Sequence, residues 1–321
     1  MAFGYSCDSL REEDNKFYLS AKKIVPDENL TQNMKQLVKS VFPKAAKFFG
    51  FTFWSKSSTD FFHDIIKRNV QERDEKGIVR YDMVHLMMEE KKSREQSNAK
   101  ETITDDDITA QAMLFFFAGF ESVSTLMSFT AYELAVNEDI QKRLQAEVDE
   151  ALRACNGIIT YEALAKMTYL DMVISESLRK WPAAIVTDRM CNKPYDIQAE
   201  KPDEVSVHLS KGDIVWIPIF GIHRDPAFFP NPDRFDPERF SEENKATINS
   251  YAFIPFGSGP RSCIANRFAL MEAKLLLFRI MSKFDIVVVE KTDVPIQLTE
   301  VSMQLSAKNG FWLGLKLRNQ E

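Results

Sequence analysis

The chain has 321 residues, 45% hydrophobic and 27% charged, with a formal net charge of −6; it can bury a sizeable core, and the acidic balance gives no reason to expect nucleic-acid binding. Its four cysteines, at 7, 155, 191 and 263, have no C-x-x-C spacing and suggest neither a zinc site nor a disulfide framework. Cys7, Cys155 and Cys191 read as buried or incidental thiols, and His63, His85, His208 and His223 are too scattered for a metal set.

Helices are predicted over 11–25 and 57–75. Between them Phe42, Phe48, Phe49, Phe51, Phe53 and Trp54 alternate with Lys44, Lys47 and Lys56, a pattern that fits either rings inserted in a membrane surface with lysines toward head groups or plain core packing. Residues 91–100 are polar and read as a flexible connection. A long helix over 104–136 follows, capped at Thr104, with Asp105, Asp106 and Asp107 complementing its dipole. It would be about 50 Å long and is apolar nearly all round, so it is predicted to cross the core. Its run 113–120 is too short to span a bilayer and is closed by Glu121.

Further helices are predicted over 138–153, 161–166 and 168–180, the last ended by Trp181-Pro182 because proline disfavours helix at the residue before it. Short alternating runs at 186–190, 205–209 and 214–218 read as strands, with Gly212-Asp213 marking a hairpin turn. A last helix covers 264–282, and terminal strands are predicted at 286–289, 303–305 and 311–317. The fold class is mainly α with small β-sheets, in one domain over 1–321.

Chemistry concentrates in Pro255-Phe256-Gly257-Ser258-Gly259-Pro260-Arg261-Ser262-Cys263-Ile264-Ala265. Gly257 and Gly259 permit positive φ and leave room for a flat cofactor, while the amides of the helix that follows and the charge of Arg261 favour a thiolate. Taken alone, a Gly-Pro turn before a helix with a cysteine is ordinary structure. Three other segments add to it, one of them Phe235-Asp236-Pro237-Glu238-Arg239-Phe240, which supplies a further arginine. Glu176 and Arg179 stand three apart on one helical face, a spacing that by itself usually marks a surface pair worth ~0.5 kcal/mol. Ala118-Gly119-Phe120-Glu121-Ser122 lies mid-way along the long helix.

Together, and in their order along the chain, these segments resemble the cytochrome P450 family, the haem-thiolate monooxygenases of the microsomal type, and residues 103–152 with Phe268-Ala269-Leu270-Met271-Glu272 most resemble its insect family-9 and family-6 detoxification enzymes. The resemblance implies that Cys263 is the axial ligand of haem iron, and that a thiolate there favours O–O cleavage. Phe256, Gly257, Gly259, Ala118 and Ala265 would contact the haem, and Arg189 and Arg261 would hold its propionates. Glu176, Arg179 and Arg239 would form a triad beneath it. Gly119 would permit a local opening of the helix over the iron, and Glu121 with Ser122 would relay protons. His223 matches a structural histidine of the family.

Phe115, Phe116, Phe117, Ala183, Ala184, Ile185, Val186 and residues 300–303 would wall a lipophilic substrate, although a phenylalanine stripe is usually core, so only one or two of the three rings need face it. Two positions depart from the pattern. Ala265 replaces a usual third glycine, and Ser122 replaces a usual threonine, losing the methyl that restricts χ1. The resemblance further implies O2 as co-substrate, electrons from NADPH-cytochrome P450 reductase with cytochrome b5 as a further donor, a membrane surface, and residence on the cytosolic face of the endoplasmic reticulum. The first ten residues look like a point inside such a chain, so the expectation is its C-terminal two-thirds, without membrane anchor and first helices. The competing expectation is a fragment that binds haem weakly without turnover.

Overall fold

A computed structural model describes residues 7–9, 11, 12, 14–24, 38, 42, 56–97, 100–300 and 304–318. Most of the aromatic segment, including Phe48, Phe49, Phe51, Phe53 and Trp54, lies outside these residues, as do 301–303; Phe42 is exposed. The chain divides into two units, 1–121 and 122–321.

In the first unit, α1 (Lys16–Ile24), α2 (Lys56–Lys76) and α3 (Met83–Gln96) precede α4 (Asp105–Val136), which runs on into the second. Asn15 starts α1, its carboxamide oxygen accepting from the amides of Phe17 and Tyr18 at 3.0 and 3.2 Å; the helix therefore starts at Lys16, more than a turn later than the predicted 11. Asp82 caps α3 by accepting from the His85 amide, and its carboxylate takes both Arg73 terminal nitrogens at 2.7 Å in the interior. The predicted flexible stretch at 91–100 is instead helical as far as Gln96. Its charges are engaged along and across helices, with Arg94 on Glu90 and Lys91 on Asp105. Phe62, Ile66, Val70, Val84, Ile108 and Ala112 form this unit's core.

The start of α4 is the predicted one. Thr104 Oγ1 accepts from the Asp107 amide at 3.1 Å, and Asp107 Oδ2 accepts from the Thr104 amide and hydroxyl at 2.9 and 2.7 Å, a reciprocal cap. By length and composition α4 could cross a membrane, and only 28% of its most apolar window is buried. The expected crossing of the core is met only in part: Ile108 and Ala112 are buried in the first unit and Leu126, Phe129 and Leu134 in the second, while Leu114, Phe115 and Ala118 are exposed.

In the second unit α5 (Glu138–Ala154), α6 (Tyr161–Ala165) and α7 (Thr168–Lys180) pack with α10 (Asn266–Met281) around Leu144, Val148, Leu170, Val173, Leu277 and Phe278. The strands are β1 (Thr187–Met190), β2 (Tyr195–Ile197), β3 (Val207–Leu209), β4 (Ile214–Ile217), β5 (Phe284–Val288) and β6 (Leu313–Leu317). All pairs are antiparallel: β1 with β4, β2 with β3, β5 with β6.

A hairpin joining the two runs around Gly212 is therefore not what forms. Gly212 does turn, at φ +101°, but its amide donates to Cys191 O at 2.8 Å and the Cys191 amide to Asp213 O at 2.8 Å. Those bonds hand β4 to β1 and leave β3 for β2, a strand too short and polar to stand out in the sequence. The terminal strand expected at 303–305 is reduced, over its described residues, to a bend, next to a single bridge between Leu298 and Ala307. Two short helices, α8 (Ile219–His223) and α9 (Glu242–Lys245), and a 3-10 turn over Pro237–Phe240 carry the chain toward the cysteine loop.

Candidate haem-thiolate site

The cysteine loop is built by its glycines. Gly257 has φ +69° and Gly259 φ +76°, yet an added Cβ would meet only Ser262 Cα at 3.9 Å at the first and nothing within 4 Å at the second. Both are thus required by backbone conformation and not by crowding. Gly259–Arg261 forms a 3-10 turn, and the Cys263 amide donates back across it to Phe256 O at 2.8 Å. The loop closes on itself and presents the cysteine at its end.

α10 begins at Asn266, with Ala265 at its cap. The helix therefore starts three residues beyond Cys263, later than the predicted 264, and the cysteine's own amide is committed to the loop. Cys263 is exposed, and so are Ile264, at 86%, and Phe268, at 49%. Cys7 is also exposed, and Cys155 and Cys191 are half-buried, so none of the three incidental thiols is in the core.

No group of three His, Cys, Asp or Glu side chains among the described residues could hold a bare metal ion. A lone exposed thiol flanked by apolar Ile264, Ala265 and Phe268 suits instead a metal that arrives with its other ligands in a flat apolar ring. Haem fits this donor set. Arg261 is exposed at the end of the 3-10 turn, while half-buried Arg189 on β1 donates through one terminal nitrogen to Thr187 Oγ1 at 3.0 Å and Asp188 O at 2.7 Å.

Behind the loop, Glu176 and Arg179 on α7 are wholly buried. Arg179 Nε donates to Glu176 Oε2 at 2.7 Å and a terminal nitrogen to Oε1 at 2.8 Å; its remaining donors reach His223 O at 2.9 Å and Pro232 O at 2.8 Å. Glu176 Oε1 also accepts from the Asp236 amide at 2.8 Å and has Arg239 Nε 3.5 Å away, and Arg239 donates to Asn231 O. The three residues of the expected triad are thus together, and the pair is no surface bridge. Burial pushes the Glu176 carboxyl upward, with Arg179, the Asp236 amide and Arg239 pulling the other way.

Sequence reasoning missed what His223 does. Its Nδ1–H donates to Arg179 O at 3.1 Å, and its Nε2 accepts from the Ile254 amide at 3.0 Å. Ile254 precedes the cysteine loop, and its carbonyl accepts from the Gly257 amide at 3.0 Å. One neutral imidazole therefore ties the loop to the buried pair. Burial lowers its pKa to about 4. The signal available in the sequence was only a histidine before Arg-Asp-Pro.

On α4, the Phe116 ring centre lies 5.0–5.9 Å from those of Phe62 (tilted), Phe17 (edge-on) and Phe120 (stacked), and Phe117 packs on the same core, whereas Phe115 is 36% exposed. Ala118 is exposed, and Glu121 and Ser122 are half-buried. The local opening expected at Gly119 is not present: α4 continues unbroken, and a Cβ at Gly119 would meet nothing within 4 Å. Beyond α7, Pro182 is buried, Ala184 exposed, and Ala183, Ile185 and Val186 half-buried, with Ile185 O accepting from the Phe220 amide at 3.0 Å.

Comparison with known proteins agrees with this arrangement: the family model described as "Cytochrome P450" matches residues 1–313. The chain belongs to the cytochrome P450 family. It is 45% identical over 331 aligned residues to "Cytochrome P450 9e2" of Blattella germanica, covering all of this chain and 61% of that protein. It is 40% identical to "Probable cytochrome P450 9f2" of Drosophila melanogaster, covering 99% of the chain and 62% of the relative, and 38% identical to "Cytochrome P450 3A29" of Sus scrofa, covering 93% and 58%. The chain spans about three-fifths of the length of these P450 relatives. Haem is the cofactor of the P450 family, whose members are monooxygenases.

Proposed function

We propose that this chain belongs to a haem-thiolate monooxygenase that inserts one oxygen atom of O2 into a lipophilic substrate, with electrons passed from NADPH by cytochrome P450 reductase, with cytochrome b5 as a further donor, at the cytosolic face of the endoplasmic reticulum membrane. Oxidative detoxification of apolar foreign compounds is the role this reading assigns to it. The observation that carries the reading is the exposed Cys263 at the end of a loop held, through His223, on a wholly buried Glu176–Arg179 pair.

In this reading Cys263 would supply the thiolate ligand of the haem iron, and Phe256, Gly257, Gly259, Ala118 and Ala265 would be haem contacts. Arg189 and Arg261 take the propionates, for which a guanidinium fork is well shaped. A haem held there would supply dioxygen activation, chemistry for which a thiolate ligand is suited. Glu121 and Ser122 bring protons in from solvent by general acid catalysis. Phe115, Phe116 and Phe117, and separately residues 183–186, are the apolar side chains that would meet a lipophilic substrate held by shape.

Cys263→Ser tests the ligand. The variant is expected to lose the strongly red-shifted absorption of the reduced carbon monoxide complex, since that band requires thiolate ligation. Its retention would remove Cys263 from the iron.

A further inference from the structure

Glu133 is buried to 1% exposure on α4 and belongs to neither the cysteine loop nor the Glu176 cluster. Its Oε1 accepts from Trp181 Nε1–H at 2.8 Å and lies 2.7 Å from Lys180 Nζ, and its Oε2 accepts from Asn137 Nδ2 at 3.2 Å. Trp181 is gripped on its faces as well. Phe129 stacks on it at 4.5 Å and 13°, and the Arg224 guanidinium lies 4.7 Å from the ring centre while donating to Lys180 O at 3.0 Å.

Stacking alone would bury the indole but leave it free to turn in its own plane. The hydrogen bond to a carboxylate removes that freedom, because it fixes the direction of Nε1–H. A buried carboxylate is a costly way to hold a core ring, so its position has a purpose beyond burial. Trp181 is the cap residue of α7 and is followed at once by Pro182, whose φ is fixed, and then by 183–186. With Ile185 O held by the Phe220 amide, that segment is anchored at its beginning and near its end.

We propose that Glu133 is a positioning residue for substrate selection: through Trp181 and Lys180 it sets the path of residues 183–186. This rests on the reading of 183–186 as the substrate wall, and predicts that loosening Glu133 changes which lipophilic molecules fit while leaving the thiolate side intact.

The test uses haem-loaded protein and a series of 1-alkylimidazoles from methyl to dodecyl, followed by the optical shift on binding. The imidazole reports the iron and the tail reports the wall. Glu133→Gln keeps an acceptor for Trp181 and removes the charge facing Lys180; Trp181→Phe keeps the stack and removes the N–H. Ile185→Ala is the wall control. Both variants and the control are expected to change the ratio of dodecyl to methyl affinity by about threefold to tenfold, with methyl affinity and the carbon monoxide band unchanged.

A shift with Ile185→Ala alone would overturn the role of Glu133 and leave the wall standing. No shift in any of the three would remove the wall and the proposal with it. Equal weakening of every imidazole would mean that the carboxylate only stabilises the fold. Should a variant lose haem, amide hydrogen exchange decides: faster exchange confined to 183–190 supports positioning, and equal acceleration at 254–263 overturns it.

Discussion

At the scale of single residues, the Glu176–Arg179 pair shows how burial changes the meaning of a spacing. An acid and a base three apart usually form an exposed pair of little energetic consequence; here both side chains are at 0% exposure and five further polar contacts converge on them. Removing either partner strands a charge in the interior. Glu176→Ala and Arg179→Ala are each expected to cost on the order of 3–5 kcal/mol and to give aggregate or apoprotein on expression; normal yield and haem content in both would reduce the pair to decoration. Ser122 raises a finer point. On the proposed reading, in a full-length, haem-loaded context with P450 reductase added, Ser122→Thr is expected to increase product formed per NADPH and Ser122→Ala to decrease it with more peroxide released, because β-branching restricts the rotamers of the hydroxyl. Identical ratios in all three would take the hydroxyl out of proton delivery.

Elements were legible where local chemistry is self-sufficient. The cap of α4 could be read from Thr104 and Asp107, and the end of α7 from Trp181-Pro182, since each depends on atoms a few residues apart. Strand pairing could not, because β1 meets β4 across an intervening 23 residues, 191–213, and the turn at Gly212 serves Cys191 as much as its own neighbours. The cysteine loop lies between these cases. Its glycines were identifiable, but that both are demanded by positive φ and neither by space needed coordinates. Gly257→Ala and Gly259→Ala are accordingly each expected to cost about 1–2 kcal/mol in unfolding free energy through backbone strain, measured by urea titration. Gly259→Ala, with open space at its Cβ, sets the pure backbone value, and a neutral result there would contradict the left-handed turn.

For the whole molecule, acid sensitivity is expected to trace in part to His223. Folded, the imidazole must be neutral, since Nε2 accepts from Ile254, and its pKa falls from 6.5 to about 4. The unfolded chain takes up this proton below pH 6.5 and the folded chain refuses it until about pH 4. The unfolded state binds more protons in that window, so stability is complete above it and falls as pH drops through it, by about 3 kcal/mol from this group. Urea midpoints measured across the window should therefore fall more steeply for the native chain than for His223→Gln, and parallel curves would assign the acid limb to carboxylates alone.

Sequence alone determined the helical class, the family, the cysteine at the end of its glycine turn and the residues of the Glu176 cluster, because each is written in spacings of a few residues or in a family-wide order of motifs. Tertiary structure decided what those residues lean on. That His223 joins Arg179 to the cysteine loop, and that Glu133 on one helix orients Trp181 at the end of another, are contacts between positions 31 to 48 residues apart. Such contacts arise only when burial makes an unpaired polar group too costly to leave, and which partner satisfies it depends on how helices pack and not on any local pattern.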